Sequence, residues 1–243
     1  GGSAANTCVA LSQLGVKSDL LTCVSEDAIG EYIFEKLREF NVGSNLCRRV
    51  ENKFQTQVAV VETILKNNQS ILYRNNSCDL QLNKNDIDNI NFQDYSAVFI
   101  SGTALSSNPS RDAVFYATQK ASSLSIPLII DMDYRPYNWE SDEIKSNIYK
   151  KIMNEMDIII GNDLEFNIAD NSKKGFQLAK SFINEKPSII IYKMGEKGST
   201  VITKEKEQNF GIFKVEAIKP TGAGDAFNGG FISSILQGFS LED

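Results

Sequence analysis

The run "DIIIGNDLE", residues 157–165, decides the fold. Three isoleucines with no polar break are followed by a glycine, an asparagine and acids of a helix start. A strand apolar on both sides leaves no face for water, so it belongs inside a parallel sheet with helices over both faces. The same order recurs in "AVFISG" (97–102), "PLIIDMD" (127–133) and "SIIIYKMG" (188–195). Helical patterns occupy 109–124, 141–154 and 163–184 between these strands, and 224–238 is the last helix. "STVIT" (199–203) and "FGIFKV" (210–215) read as further strands. Upstream, "SAANTCVALSQLG" (3–15) reads as a helix and "DLLTCV" (19–24) as a short buried strand. Ile29, Ile33, Leu37 and Phe40 share one face of a surface helix over 28–43. The stretch 54–75 breaks the pattern: "FQTQVAVVETIL" and "QSILYR" are β-rich and joined by "KNN", as in a hairpin. The expected architecture is α/β, a three-layer α/β/α sandwich on a mostly parallel sheet. Residues 1–45 and 76–243 form its core, and 46–75 form a small β lid.

Composition removes several function classes. The 243 residues carry 25 basic and 31 acidic side chains, a net charge of −6, which disfavours nucleic acid as a partner. Histidine is absent, so no Ser-His-Asp or Cys-His nucleophile and no histidine zinc site can be built. Cys8, Cys23, Cys47 and Cys78 are widely spaced with no C-x-x-C pair, as expected of reduced thiols in a cytoplasmic protein. No apolar run approaches the length of a membrane span.

In open α/β sheets ligands sit beyond the carboxyl ends of the strands. The segments "SGT", "DMDYRP", "GNDLE" and "KMGEKG" all follow strands and so share that edge. A further segment, "KPTGAGDAFNGGF" (219–231), sets Gly222, Ala223, Gly224 and Asp225 before an apolar helix. Asp225 either caps that helix or serves as a base. Small residues admit a ligand to the backbone, and the first helical amides with the helix dipole suit a phosphate. A carboxylate there can take a hydroxyl proton as the hydroxyl attacks a γ-phosphate. Asn162 and Glu165, spaced N-x-x-E, either hold Mg2+ through water or simply cap a helix. Lys193, Gly195 and Gly198 form either a turn that approaches nucleotide phosphates or a plain hairpin turn. Arg135 can grip a carboxylate or phosphate through two parallel hydrogen bonds, or pair with Asp131 or Asp133. Tyr73 and Arg74, at the end of the hairpin, either cover a polar ligand or form a surface pair.

"GGSAANTCVALSQLG" (1–15) and "KPTGAGDAFNGGFI" (219–232) resemble the two signatures of the ribokinase-like, phosphofructokinase-B carbohydrate kinases. The first matches at Gly1, Gly2, Asn6 and Gly15, the second nearly throughout. The resemblance covers essentially the whole chain and implies an enzyme that phosphorylates an alcohol group with ATP and Mg2+. It implies that Gly1, Gly2 and Asn6 belong to the sugar site, and that Tyr73, Arg74 and Arg135 contact sugar or phosphate. Lys193, Gly195, Gly198 and Gly222 to Gly224 then belong to ATP, Asn162 and Glu165 to magnesium, and Asp225 is the base. Within the family, "ILYRNNSCDLQL", "SGTALSS", "DMDYRPYNW" and "GNDLEFNIA" are most similar to the kinases of 5-dehydro-2-deoxygluconate in inositol breakdown. Kinases of 2-dehydro-3-deoxygluconate share the Arg-x-x-x-Trp turn, and fructokinases are a further alternative. Many relatives pair through their lids, which implies a homodimer. "SED" (25–27) replaces the family's usual glycine-aspartate pair. Lys219 stands where relatives often carry an aspartate that helps hold a monovalent cation, so dependence on such an ion stays open. The family's first strand is expected before Gly1 and its closing helices after Asp243.

Two other classes compete. A degenerate relative that only binds sugar or nucleotide has no use for Asp225, Asn162 and Glu165 together. A nucleotide-binding oxidoreductase needs a G-x-G-x-x-G turn with a downstream acid, which this chain lacks.

Overall fold

The computed structural model describes residues 2–51, 53–61, 70–136, 139–169, 175–215 and 221–242. Gly1, Lys219 and the expected "KNN" turn lie outside the described residues. The elements are α1 (Ser3–Gln13), β1 (Thr22–Ser25), α2 (Ala28–Glu39), β2 (Cys47–Val50), β3 (Val58–Val61), β4 (Ser70–Tyr73), α3 (Lys84–Asp88) and β5 (Val98–Ser101). They continue with α4 (Ser110–Ser123), β6 (Leu128–Asp131), α5 (Asp142–Met153), β7 (Ile158–Asn162), α6 (Asp163–Ile168), α7 (Gly175–Phe182), β8 (Ile189–Lys193), β9 (Ser199–Ile202), β10 (Glu207–Phe210) and α8 (Ala223–Leu236).

Among the described residues six strands form the central sheet, in the order β10-β9-β8-β7-β6-β5. β5 to β8 are parallel, and β9 and β10 extend the sheet antiparallel. The alternation of side chains along each strand separates the two faces. Ile129, Ile158, Ile160 and Ile191 turn toward Leu11 of α1 and Ile232 of α8. Leu128, Ile130, Ile159 and Ile190 turn toward the helical layer that includes Ala117 of α4, Ile152 of α5 and Phe166 of α6. Burial on both sides is why the strands read as unbroken apolar runs. Each such isoleucine withdrawn from water contributes about 1.5–3 kcal/mol.

The periphery differs from expectation in two places. β2, inside the expected lid segment 46–75, pairs parallel with β1, so the hairpin proper is β3 and β4. Among the described residues the last strand is Glu207–Phe210 instead of 210–215. The tight β9–β10 turn sets this register: Thr203 N–H donates to the Lys206 carbonyl at 2.9 Å, and Glu207 then faces Ile202. "SED" has a local role. The Asp27 carboxylate caps α2 by accepting from the amides of Ile29 and Gly30 at 3.0 and 2.9 Å.

A cavity of about 660 Å³ runs between the β1 side and β5, lined by Thr7, Leu11, Leu21, Thr22 and Val98 to Ile100. Its wall also includes Gly2, Ser3, Ser101 and Thr103. Ser101 in turn donates to Asp133 at 2.9 Å, so the cavity adjoins the carboxyl edge of the strands.

Candidate active site

The carboxyl edge gathers Ser101 of β5, Asp131 of β6, Asn162 of β7 and Lys193 of β8. Parallel register places each at the end of its strand, which an apolar run followed by a polar residue encodes directly. Asp131 is the hub. It is buried at 3 % exposure and accepts from Lys193 Nζ at 3.0 and 3.2 Å and from Asn228 Nδ2 of α8 at 2.6 Å. The ion pair fixes the lysine ammonium beneath the start of α8: Nζ lies 3.7 Å from where a Cβ on Gly224 would stand. Asp131 is withdrawn from water and Lys193 partly so; removing the lysine leaves a buried uncompensated carboxylate, which costs about 3–5 kcal/mol.

α8 opens on Gly222 at φ 88°, a left-handed conformation that suits glycine, and no side chain caps it. Its first amides therefore point outward without intrahelical partners. Asp225 is the third residue of the helix, not its cap. Its Oδ2 accepts a 2.7 Å hydrogen bond from Asn6 Nδ2 of α1. α1 likewise starts on a glycine with positive φ, Gly2 at 100°, with no side-chain cap. Two open helix starts thus stand together with the carboxylate between them.

Asn162 and Glu165 behave differently. They form a reciprocal cap on α6: Asn162 Oδ1 accepts from the Glu165 amide at 3.1 Å, and Glu165 Oε2 accepts from the Asn162 amide at 2.8 Å. Burial raises the Glu165 pKa to about 7, aided by the nearby negative charge of Asp131 and opposed by Lys193. Among the described residues no three histidine, cysteine, aspartate or glutamate side chains stand together as a metal site. This donor set suits an ion held through water and phosphate, the habit of Mg2+.

Arg135 pairs with Asp133, Nη2 to Oδ1 at 2.8 Å, and its Nη1 donates to the Tyr134 carbonyl at 2.8 Å. Its side chain is half exposed while Asp133 is buried. Asp133 sits at φ 34°, uncommon for a residue with a Cβ, and burial pushes its carboxyl upward. Arg74 is buried and donates to Asp79 and, at 3.3 Å, to Ser106 Oγ. It roots the end of β4 in the core. Tyr73 stands on the exposed side of β4, opposite Val58. Gly195 and Gly198, at φ 58° and 87°, form the β8–β9 hairpin turn. A Cβ on Gly198 would strike the Phe210 carbonyl oxygen at 1.9 Å, whereas Gly195 faces open space.

Of the residues singled out in the sequence, Gly2, Asn6, Lys193, Gly222, Ala223, Gly224 and Asp225 come together. Tyr73, Gly195 and Gly198 serve the hairpins, and Arg74 is enclosed. Sequence reasoning missed Asp131, Asp133 and Asn228 as members of the site. "DMD" after a buried strand was the available signal for the two aspartates; Asn228, one turn after Asp225, carried a fainter one.

An open helix start, a carboxylate in its first turn and a half-buried lysine beneath it suit a phosphotransferase of the α/β sandwich class. The pattern of the pfkB family carbohydrate kinases matches residues 1–243, and the chain belongs to that family. It is 36 % identical over 251 residues to a 5-dehydro-2-deoxygluconokinase of Photobacterium profundum, covering 100 % of this chain and 75 % of the relative. Among solved structures it is similar in fold to a fructokinase from Vibrio cholerae O395 bound to fructose, ADP and calcium. The TM-score is 0.83 at 22 % identity, over 97 % of this chain and 76 % of that one. A fructokinase from Xylella fastidiosa with bound ATP gives 0.89 at 19 % identity, over 99 % and 74 %. This protein is a sugar kinase.

Proposed function

We propose that the enzyme transfers the γ-phosphoryl group of ATP to a hydroxyl of a keto-sugar acid, with 5-dehydro-2-deoxygluconate the preferred acceptor. The observation that carries this is Asp225 in the first turn of an uncapped helix, held by Asn6 from the opposite end of the chain. Asp225 accepts the acceptor's proton. The open amides from Gly222 to Asp225 receive the phosphates, and Lys193, anchored by Asp131, supplies positive charge beneath them. ATP brings the phosphoryl group; Glu165 and Asn162 would hold a divalent ion, Mg2+ by preference, through water, and it would supply charge neutralisation at the phosphates.

Arg135 is the residue that favours an acid over a neutral sugar. Its half-exposed guanidinium is offered by Asp133 and can turn to a substrate carboxylate. Arg74 acts by fixing the root of the hairpin, and Tyr73 approaches the ligand from the hairpin itself. Val58, Val60, Ile71 and Tyr73 form an exposed apolar strip on that hairpin, where we place contact with a second copy of the chain. Four free cysteines, three of them buried, support a cytoplasmic setting. Among the described residues no helix is long and apolar enough to cross a membrane.

The test is one coupled assay of ATP consumption with 5-dehydro-2-deoxygluconate, 2-dehydro-3-deoxygluconate and fructose. The first is expected to give the highest kcat/KM. Arg135→Lys is expected to lower kcat/KM about tenfold for both acids and little for fructose, because an ammonium cannot hold two oxygens in one plane. Equal losses on all three acceptors would refute a carboxylate partner for Arg135.

A further inference from the structure

Asn6 and Asp225 lie 219 positions apart and meet at 2.7 Å. The reason lies one turn deeper. Ala10 is four residues after Asn6, and Gly229 four after Asp225, so each pair shares a helix face. At that level α1 and α8 touch: a Cβ on Gly229 would stand 2.4 Å from Ala10 Cβ and 3.3–3.4 Å from its backbone. Further along, Gln237 Nε2 reaches the Leu14 carbonyl at 3.5 Å. The helices therefore run parallel, and the bare backbone of Gly229 sets their spacing. At that spacing an asparagine amide spans the gap to an aspartate carboxylate.

We infer that Asn6 is a positioning residue for Asp225: its amide holds Oδ2, fixes the plane of the carboxylate and leaves Oδ1 to take the proton. This rests on the base role proposed above. It differs from the role the family resemblance gives Asn6, which is contact with the sugar. The two roles separate in kinetics. A sugar contact removed raises KM for the sugar, whereas a misaimed base lowers kcat. Asn6 and Asp225 are both partly buried, so the bond is sheltered but open to ligand. Misplacing a reacting group by about 1 Å costs up to about a hundredfold in rate.

The experiment is a double-mutant cycle in the full-length protein, with pH profiles. Asn6→Ala is expected to lower kcat ten- to a hundredfold, with KM for sugar and ATP within twofold. That loss should vanish in an Asp225→Asn background, because Asn6 then has no base to aim. Gly229→Ala, which touches no ligand, should reproduce the kcat loss by spreading the helices. Asn6→Asp keeps the shape but sets two carboxylates together, so the acid limb of the kcat profile should move up by about one pH unit or more. A raised sugar KM with kcat kept, an undiminished loss in the Asp225→Asn background, or an unmoved acid limb would each overturn the inference. Full turnover in Asp225→Asn would instead overturn the base role itself. Turnover lost there but intact in Asn6→Ala would overturn only the positioning role.

Discussion

α6 and α8 begin at the same edge of the sheet, and each carries an acid at its third residue, yet the two acids do opposite things. Glu165 folds back and closes its own helix start, with Asn162 completing the exchange. Asp225 turns away to Asn6 and leaves its helix start open. The difference begins at the preceding cap. Asn162 has a side chain in extended backbone, which can accept from the third amide. Gly222 has no side chain and sits in left-handed backbone, so no local group competes for those amides. A closed start stabilises the helix; an open one leaves its amides for a ligand. In these two helices the cap residue three positions before the acid sets which way the acid turns.

The strongest way to break this comparison is to neutralise each acid in turn. Asp225→Asn is expected to lower kcat by about two to four powers of ten with nucleotide affinity kept, the usual size of a general-base contribution. Glu165→Gln, whose carbonyl can still accept the Asn162 amide, is expected to change kcat less than tenfold at saturating magnesium. Similar kcat losses from both would show that the two helix starts are not functionally distinct.

The next effect is on stability. Glu165 titrates near 7 when folded and near 4.5 when unfolded, so the folded state binds more protons between those values. Stability contributed by the protonated group is therefore lost as pH rises from about 4.5 to about 7. At about 1.4 kcal/mol per pH unit the loss above pH 8 comes to about 3 kcal/mol. Glu165→Gln should match the parent near pH 4 and exceed it by that order at pH 8, in denaturant melts without magnesium. An identical pH dependence in both proteins would mean that Glu165 is not the group responsible.

The smallest effect sharpens the comparison by converting one helix start into the other. Gly222→Asn places a polar side chain beside the first amides of α8, and asparagine bears the strain of left-handed backbone better than other residues with a Cβ. We expect KM for ATP to rise about tenfold, comparable to one charge-assisted hydrogen bond of about 1.5 kcal/mol. Unchanged KM for ATP would mean that the amides at Gly222 do not meet phosphate.

Much of this was legible without coordinates, and unevenly so. β5 to β8 were visible because burial on both faces demands apolar residues at successive positions, and in each of them the run stops at a polar residue or glycine. That "SGT", "DMDYRP", "GNDLE" and "KMGEKG" share one edge followed from where those runs stop. The expected strand at 210–215 meets β10 only at Phe210 because the pairing depends on the turn before it; residues 211–215 are outside the strand, and Phe213 and Val215 are exposed. Arg74 and Arg135 look equivalent in sequence, each after a strand, but one is enclosed by Asp79 and Ser106 and the other is half exposed on Asp133.

The sequence by itself determined the layered α/β class, the edge that carries the chemistry, the glycine start of α8 and the family. These depend on local pattern: strand periodicity, breaks after apolar runs, and small residues at fixed offsets. Only the tertiary structure decided which polar groups meet. Asn6 finds Asp225, and Asn228 and Lys193 find Asp131. The first of these pairings depends on how far apart α1 and α8 pack, which Gly229 and Ala10 set by contact, and no spacing along the chain records the distance between two helices.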